Sequence, residues 1–293
     1  MTGKRLWIFQ LTTHSTGTTT MSLRVNTNIF SMTAQKNLAN HSNQLQSSFA
    51  RLSSGLRIVS AADDPAGLGI SERMRSEIRS LQMAQRNAQD GVSLVQTAEG
   101  ALSEVNSNLV RMRELAIESA NGTLNTSDRT SLNAEFTELV AEIDRIALTT
   151  AFNGINLLDG LSPPIDIQTG ADSGQVITVA LGGTTDGDLG IDVLSVIDAT
   201  NASAALGAID LAVNTVVSFR GQLGASQNRM SSAMRSIATS VENLAAAESR
   251  IRDVDVAAET ATLTRNQILQ QASASILAQA NQQPQIALSL LQG

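Results

Sequence analysis

Cysteine is absent from the 293-residue chain, which excludes disulfides, thiolate metal sites and a cysteine nucleophile. Tyrosine is also absent, and one tryptophan with six phenylalanines brings the aromatic share to only 2%. Large aromatic side chains dominate thick globular cores and many ligand pockets. The composition therefore favours thin helix-on-helix packing through aliphatic side chains.

Positive charge is also scarce, since the net charge is −7 and the pI is about 4.9. This acidic balance argues against a nucleic-acid partner or an anionic membrane surface, because both attract basic proteins. No run of about 18 apolar residues is present, so we expect no membrane insertion.

Catalytic motifs are equally rare. The chain has two histidines, His14 and His41, and no glycine-rich phosphate loop. The acidic turn at 184–192 lacks the spaced ligands and closing glutamate of a calcium-binding EF-hand loop. We therefore expect no enzyme activity, no cofactor and no metal.

Residues 1–20 differ from the rest of the chain. Their short apolar stretch is followed by a glycine and several threonines, which suit neither the core nor the cleavage site of a signal peptide. We expect a disordered N-terminal extension, with Met21 as the true start.

Both ends of the remaining chain are helical in pattern and almost neutral. Lys36 is the only charged side chain between Asn26 and Ala50, and no charge follows Arg265. We expect residues 21–60 and 253–293 to form one terminal domain, with its helices paired as a coiled coil. Such a pair cannot cover all of its own apolar stripes.

Residues 61–252 carry seven-residue apolar repeats typical of coiled coils. They predict helices at about 65–119, 128–147 and 202–252, and a mainly α fold in which the two long helices pack antiparallel as a rod. The predicted rod core consists of Met74, Leu81, Val95, Leu102, Leu109, Leu223, Met230, Ile237, Leu244 and Ile251.

The segment at about 152–201 has a different character, with glycines, aspartates, threonines and two prolines. Ile165 and Ile167 alternate with polar residues before a glycine turn, as Ile177 and Val179 do after it. This pattern predicts a β-hairpin insert, which is too small to hold a core of its own.

Five stretches of the chain carry its most distinctive motifs. They read "SLRVNTNIFSMTAQKNL", "RLSSGLRIVSAADDPAGLGISERM", "RELAIESANGT", "FNGINLLDG" and "SRIRDVDVAAETATLTRNQILQQASASILAQANQQPQIALSLL". In this order and spacing they are similar to bacterial flagellins, from about Met21 to the C-terminus apart from the insert, whereas residues 1–20 do not match. The chain resembles a short flagellin that lacks the family's large outer domains.

The resemblance implies a structural subunit that polymerises into the flagellar filament for motility. The terminal helices would form the inner tube, and the insert would face outward. The self-assembly residues expected on these helices are Leu38, Leu45, Phe49, Leu52, Ile268, Leu269, Ile276, Leu277 and Leu290.

The resemblance also implies partners and a location. The chain would be exported through the flagellar secretion apparatus without a cleaved signal peptide, with a chaperone on its C-terminal helix. It would then meet filament cap and hook-junction proteins outside the cell. A host Toll-like receptor would contact positions matching Arg111, Leu115 and Glu135.

Three other interpretations remain open on the sequence. A flagellar hook–filament junction protein shares similar helical ends. A soluble coiled-coil adaptor would use the same heptads as a stable dimer, and a secreted enzyme on a helical scaffold would need His41.

Overall fold

The computed structural model of the protein describes residues 27–292, with side chains for 27–284. The predicted extension 1–20, Met21 and the side chain of Leu290 therefore lie outside the described residues. The elements in chain order are α1 (Ile29–Ser54), α2 (Pro65–Ala120), α3 (Thr126–Thr149), β1 (Ala151–Phe152), β2 (Ile155–Asn156), β3 (Ile165–Gln168), β4 (Val176–Val179), α4 (Asp186–Leu189), α5 (Ala199–Arg252) and α6 (Val256–Gln292). The prediction of a mainly α fold with a small antiparallel hairpin is confirmed.

The chain divides into two compact units. The terminal unit contains the chain up to Asp63 and from Asp253 onward, and it holds α1 and α6. The central unit runs from Asp64 to Arg252 and holds the remaining helices and strands.

In the terminal unit, α1 and α6 pack antiparallel. The start of α1 lies beside a late turn of α6, where the Asn28 side chain reaches the carbonyl of Ala280. At the other end, Leu56 forms an isolated β-bridge with Asp253. Gly55 ends α1 with a φ of 72°, a left-handed conformation that glycine adopts without steric penalty.

In the central unit, α2 and α5 form the long antiparallel pair. Glu72 near the start of α2 meets Arg252 at the end of α5, and Arg113 near the end of α2 meets Asp210 near the start of α5. The 56 residues of α2 span about 84 Å at 1.5 Å per residue. Asp64 caps α2 by accepting from the Gly67 N–H, and Pro65 occupies the first helical position.

The helix α3 packs on α2 as a third layer. It begins with a capping box in which Asn125 and Asp128 satisfy each other's backbone N–H groups. Its face toward the core buries Phe136 and Ile143 completely.

The hairpin of β3 and β4 lies against the two long helices. Its register pairs Ile165 with Val179 and Ile167 with Ile177. A Cβ added at Gly91 of α2 would lie 2.7 Å from the Met230 sulfur and 3.2 Å from an Ile167 carbon. Glycine at this position therefore permits the close approach of the hairpin and both helices.

The predicted core positions differ in burial. Five of them belong to the main hydrophobic cluster, namely Val95, Leu102, Leu109, Leu223 and Met230. Ile237 is 5% exposed. Four others are only half-buried, namely Met74, Leu81, Leu244 and Ile251. These four lie toward the start of α2 and the end of α5, whereas α3 packs along the opposite end of α2.

One helix within the described residues, α5, contradicts the expectation that no segment is apolar enough to cross a membrane. It contains an 18-residue window with a mean hydropathy of 1.5, of which 28% is buried. Scattered polar residues break any continuous apolar run in α5. They do not lower the mean hydropathy of the window below that of a candidate membrane span. Ile209 and Val216 of this helix belong to the buried core, so part of its apolar surface is covered within the central unit.

Candidate functional site

The contact between α1 and α6 is built from small and polar side chains. The buried residues of α1 and α6, which we call the seam, are Ser31, Ala34, Ser48, Asn266, Ser273 and Ala280. Ser31 donates from its hydroxyl to Asn281 Oδ1 over 2.7 Å. Such residues let two helices approach closely but bury little apolar area.

Large apolar side chains of the same helices remain exposed to solvent. Phe49 is 51% exposed, Ile268 60% and Ile276 56%. Val256, the first residue of α6, is also exposed. The other exposed large apolar residues of the two helices, which we call the outer face, are Ile29, Phe30, Met32, Phe49, Ile268, Leu269 and Ile276. The usual arrangement of a soluble helix pair is thus partly reversed, because the fully buried residues are small or polar while several of the largest apolar residues stay exposed.

The predicted self-assembly residues fall into two groups. Phe49, Ile268, Leu269 and Ile276 lie on the outer face, whereas Leu38, Leu45, Leu52 and Leu277 are half-buried. The sequence analysis did not select Ile29, Phe30 and Met32. The neutral composition around them was the signal that could have identified them.

Charges are few on the terminal helices, and some gather at one end. Within the printed ranges of α1 and α6 the charged residues are Lys36, Arg51, Glu259 and Arg265. Arg51 Nη2 lies 3.2 Å from Asp63 Oδ1, and Arg51 Nη1 lies 4.0 Å from Glu259 Oε2. This cluster lies beside the loop that follows α1.

The Asp63 carboxylate stabilises that loop by accepting hydrogen bonds from it. Its Oδ2 accepts from the Ser60 N–H over 2.9 Å and from the Ser60 hydroxyl over 3.0 Å. These bonds, together with the Arg51 guanidinium and the Val59 N–H, hold the pKa of the Asp63 carboxyl below its usual value despite an opposing desolvation effect.

A second predicted surface lies on the central unit, where Arg111 of α2 faces α3. Arg111 Nη2 lies 2.7 Å from Glu135 Oε1, and Arg111 Nη1 lies 3.0 Å from Glu114 Oε2. Hydrogen bonds to Glu135 and then Glu114 raise the pKa of Arg111. Both members of the Arg111–Glu135 pair are about half exposed, at 48% and 46%.

Leu115 requires a correction to the expectation of a direct partner contact. Its exposure is 0%, and it belongs to the hydrophobic cluster between the helices. The leucine one turn after Arg111 points into the core because α3 and α5 cover that face of α2. Arg111 and Glu135 are therefore the accessible part of this surface.

Within residues 27–284, no group of three or more histidine, cysteine, aspartate or glutamate side chains is placed to hold a metal ion. His41 lies half-buried on α1, at the seven-residue spacing that also holds Ala34 and Ser48. The distinctive surface of the described chain is thus the outer face of the terminal unit.

Comparisons with family models cover both helical parts of the chain. Residues 25–162 match the model described as the bacterial flagellin N-terminal helical region. Residues 206–291 match the bacterial flagellin C-terminal helical region.

Two relatives match along nearly their whole length. A flagellin of Halalkalibacterium halodurans is 50% identical over 272 residues, covering 91% of this chain and 99% of the relative. A flagellin of Bacillus subtilis is 42% identical over 308 residues, covering 92% of this chain and 100% of the relative.

A solved structure has a similar course of the chain. A putative flagellar hook-associated protein from Vibrio parahaemolyticus aligns with a TM-score of 0.56 at 16% identity, covering 65% of this chain and 100% of that one. This likeness concerns the fold alone. Given the two family models and the full-length relatives, the chain belongs to the bacterial flagellin family and is a structural subunit of the flagellar filament.

Proposed function

We propose that the outer face of α1 and α6 is the surface through which copies of this chain join in the filament. The observation that carries this proposal is the partly reversed helix pair, with serine, alanine and asparagine inside and phenylalanine, isoleucine and methionine outside. An exposed apolar surface of this kind marks an interaction site.

The energetics favour burial of this face between subunits. Burying one large aliphatic or aromatic side chain contributes about 1.5 to 3 kcal/mol. The seven residues of the outer face are already about half buried, so covering the rest can contribute on the order of 5 to 10 kcal/mol per subunit before the cost of ordering.

Burial between subunits also explains why the terminal helices carry so few charges. Each ion buried in a helical wall would cost several kcal/mol unless it were paired. The long stretch after Arg265 contains no charged residue, so it can be surrounded by other subunits without that cost.

The small seam has a consequence for the free subunit. Because the seam buries little apolar area, the terminal pair by itself should be marginally stable. Its folding would then be coupled to assembly, as for segments that order on binding. A chain with loosely held ends also suits export through the flagellar secretion apparatus without a cleaved signal peptide. Before export, a chaperone would bind α6. After export, the chain would contact the hook-junction and cap proteins.

The accessible Arg111–Glu135 pair supports a further contact with a host Toll-like receptor. Arginine is enriched among the residues that dominate protein–protein binding energy. The pair is held in place by two helices and reaches solvent on both sides. Leu115 would support the pair from the core and make no direct contact.

The role is structural and not catalytic. Within the described residues, His41 is the single histidine, and it lies on a helix whose neighbouring positions are small and neutral. A general acid or base needs a concave site around it, and the outer face carries no titratable side chain.

The test is polymerisation of purified protein, seeded with filament fragments and observed by electron microscopy. Ile276→Asp should abolish filaments, because it places a charge on the outer face. Ile276→Leu, which keeps the apolar character, should still polymerise, and circular dichroism should show that the central unit of both variants remains helical. Normal filaments from Ile276→Asp would contradict the proposal.

A further inference from the structure

Charge is unevenly distributed along the central unit. Positions 64–89 and 230–252 lie side by side, because Glu72 pairs with Arg252, and together they contain seven arginines and five acidic residues. The remaining positions, 90–229, contain six arginines and eighteen acidic residues. We call these two parts the basic section and the acidic section.

A shallow groove opens on the basic section. It has a volume of about 290 Å³ and is lined by Glu72, Arg75, Ser76, Arg79, Ser80 and Met83. This space admits one or two side chains of another protein. All six lining residues come from about three turns of α2, so the groove is a fixed feature of one helix face.

The charges in the groove are not balanced within the unit. Glu72 accepts from both Arg252 and Arg75, with Arg75 Nη1 at 3.3 Å. Arg79 has no carboxylate within 4.0 Å among the residues that the structure describes. One carboxylate thus faces three guanidinium groups, which leaves a surplus of positive charge open to solvent.

We propose that this groove binds carboxylates from the acidic section of a second copy of the chain. This contact rests on the proposed assembly function and adds to it a second surface, polar and located on the central unit. The occupant is another subunit because the acidic section supplies a large excess of exposed carboxylates on a molecule that is repeated at every neighbouring position.

The geometry of the contact follows from the assembly that it serves. A two-fold symmetric pair would join each groove to the acidic section of the partner, but it uses both contacts within one closed dimer. A head-to-tail contact joins the same opposite charges and leaves a groove and an acidic section free at the two ends, so it can repeat along an open polymer.

The experiment measures seeded elongation of the full chain by light scattering. Salt is varied from about 25 to 300 mM, over which the screening length falls from about 20 to 6 Å. For the wild type, the elongation rate should fall as salt rises. Arg75→Gln/Arg79→Gln should elongate about tenfold more slowly at low salt and lose most of this salt dependence, since steering charges change association rates by tenfold or more.

The matched control is Arg145→Gln/Arg220→Gln. It changes the net charge by the same amount but lies in the acidic section, where both arginines pair with glutamates of their own chain. This control should elongate no more slowly than the wild type. Arg75→Lys/Arg79→Lys keeps the charge of the groove and should retain most of the wild-type rate.

A wild-type rate and salt dependence in Arg75→Gln/Arg79→Gln would overturn the groove contact, as would equal losses in the glutamine and lysine variants. Either result would leave the outer face intact as the assembly surface. The proposal that the outer face is the assembly surface fails on a different result, namely normal elongation of Ile276→Asp at every salt concentration.

Discussion

The side-chain amide of Asn28 donates to the backbone carbonyl of Ala280 over 2.6 Å and so joins residues that are 252 positions apart. The same side chain accepts from the Ser31 N–H over 3.1 Å and caps α1. One residue therefore both starts the first described helix and fixes its register against α6. A seam of small residues needs such fixed points, because it gives little resistance to sliding.

Asn28→Asp should separate these two roles. The carboxylate still accepts from the Ser31 N–H, but it cannot donate to Ala280. We expect α1 to keep its start while the amides of α6 near Ala280 exchange with deuterium several-fold faster. Asn28→Ala removes both roles and should cost about 1 kcal/mol more through the lost cap. Hydrogen exchange read by mass spectrometry measures both effects.

Asn43→Asp is the control for this experiment, since it makes the same change at an exposed position of α1. Equal exchange near Ala280 in Asn28→Asp and Asn43→Asp would show that the Asn28–Ala280 bond does not hold the register.

Gly91 and Gly100 of α2 should respond in opposite ways to alanine. In a helix interior, alanine normally stabilises by about 1 kcal/mol relative to glycine. Gly100→Ala should follow this rule, because nothing lies within 4 Å of its added Cβ. Gly91→Ala should lower the free energy of unfolding by about 1 to 3 kcal/mol, because its Cβ would press on Met230 and Ile167.

Urea unfolding followed by circular dichroism gives both values on the same helix. A stabilised Gly91→Ala variant would mean that the hairpin does not pack closely against α2 in solution.

Asp63 should make the stability of the terminal unit depend on pH. Its pKa is lowered in the folded protein, so its contribution is complete above the ordinary carboxyl pKa of about 3.9 and is lost as the pH falls toward the lower folded pKa. Asp63→Asn should therefore melt below the wild type near neutral pH, and the two melting temperatures should converge in acid.

Thermal melts between about pH 7 and pH 2 check this prediction, because that range spans the ordinary carboxyl pKa. Asp90→Asn, at an exposed position of α2, serves as the control. A gap between wild type and Asp63→Asn that stays constant down to the lowest pH would exclude a role for the Asp63 charge.

Arg111→Ala should weaken detection by the Toll-like receptor without affecting the fold. Truncation of a central interface residue commonly costs 2 kcal/mol or more, which corresponds to about a 30-fold loss of binding. Receptor-reporter cells exposed to monomeric protein measure the response. Arg145→Ala removes an arginine of similar exposure that pairs with Glu142 on α3, and it should leave the response unchanged.

The heptad pattern was sufficient to predict the long helices of the central unit. The register through Leu102 and Leu109 on α2, and through Leu223 and Met230 on α5, coincides with the buried cluster. Periodicity identifies such a stripe because one narrow face must meet a partner helix. Periodicity does not show how many helices cover that face. Met74 and Leu81 are less buried than the equivalent residues further along α2, because α3 packs on that later part of the helix.

Two smaller features had local signals that the sequence analysis did not use. The Asn153–Gly154 pair has positive φ at both residues and connects β1 to β2, as expected of an Asn-Gly hairpin turn. The four residues of α4 follow Thr185, whose hydroxyl caps the turn. Both elements are so short that hydrophobic alternation could not reveal them.

The terminal helices show the main limit of sequence reasoning for the candidate site. Ser31, Ala34 and Ser48 form the buried stripe of α1, whereas Phe30 and Phe49, which are 19 positions apart, lie outside that stripe and remain exposed. If the chain folded only as a monomer, the larger apolar residues would be expected inside the helix pair. The structure places the smaller ones inside, because the partners of the larger residues lie on other molecules under the function proposed above.

The burial of small residues in the seam and the exposure of large apolar residues on the outer face also have a kinetic consequence. A single subunit, or a pair of subunits, covers only part of the outer face, whereas a growing filament end offers several surfaces at once. Assembly should therefore show a critical concentration and a lag that seeds remove. In this way the small residues of the seam would keep free subunits from polymerising before a template is available.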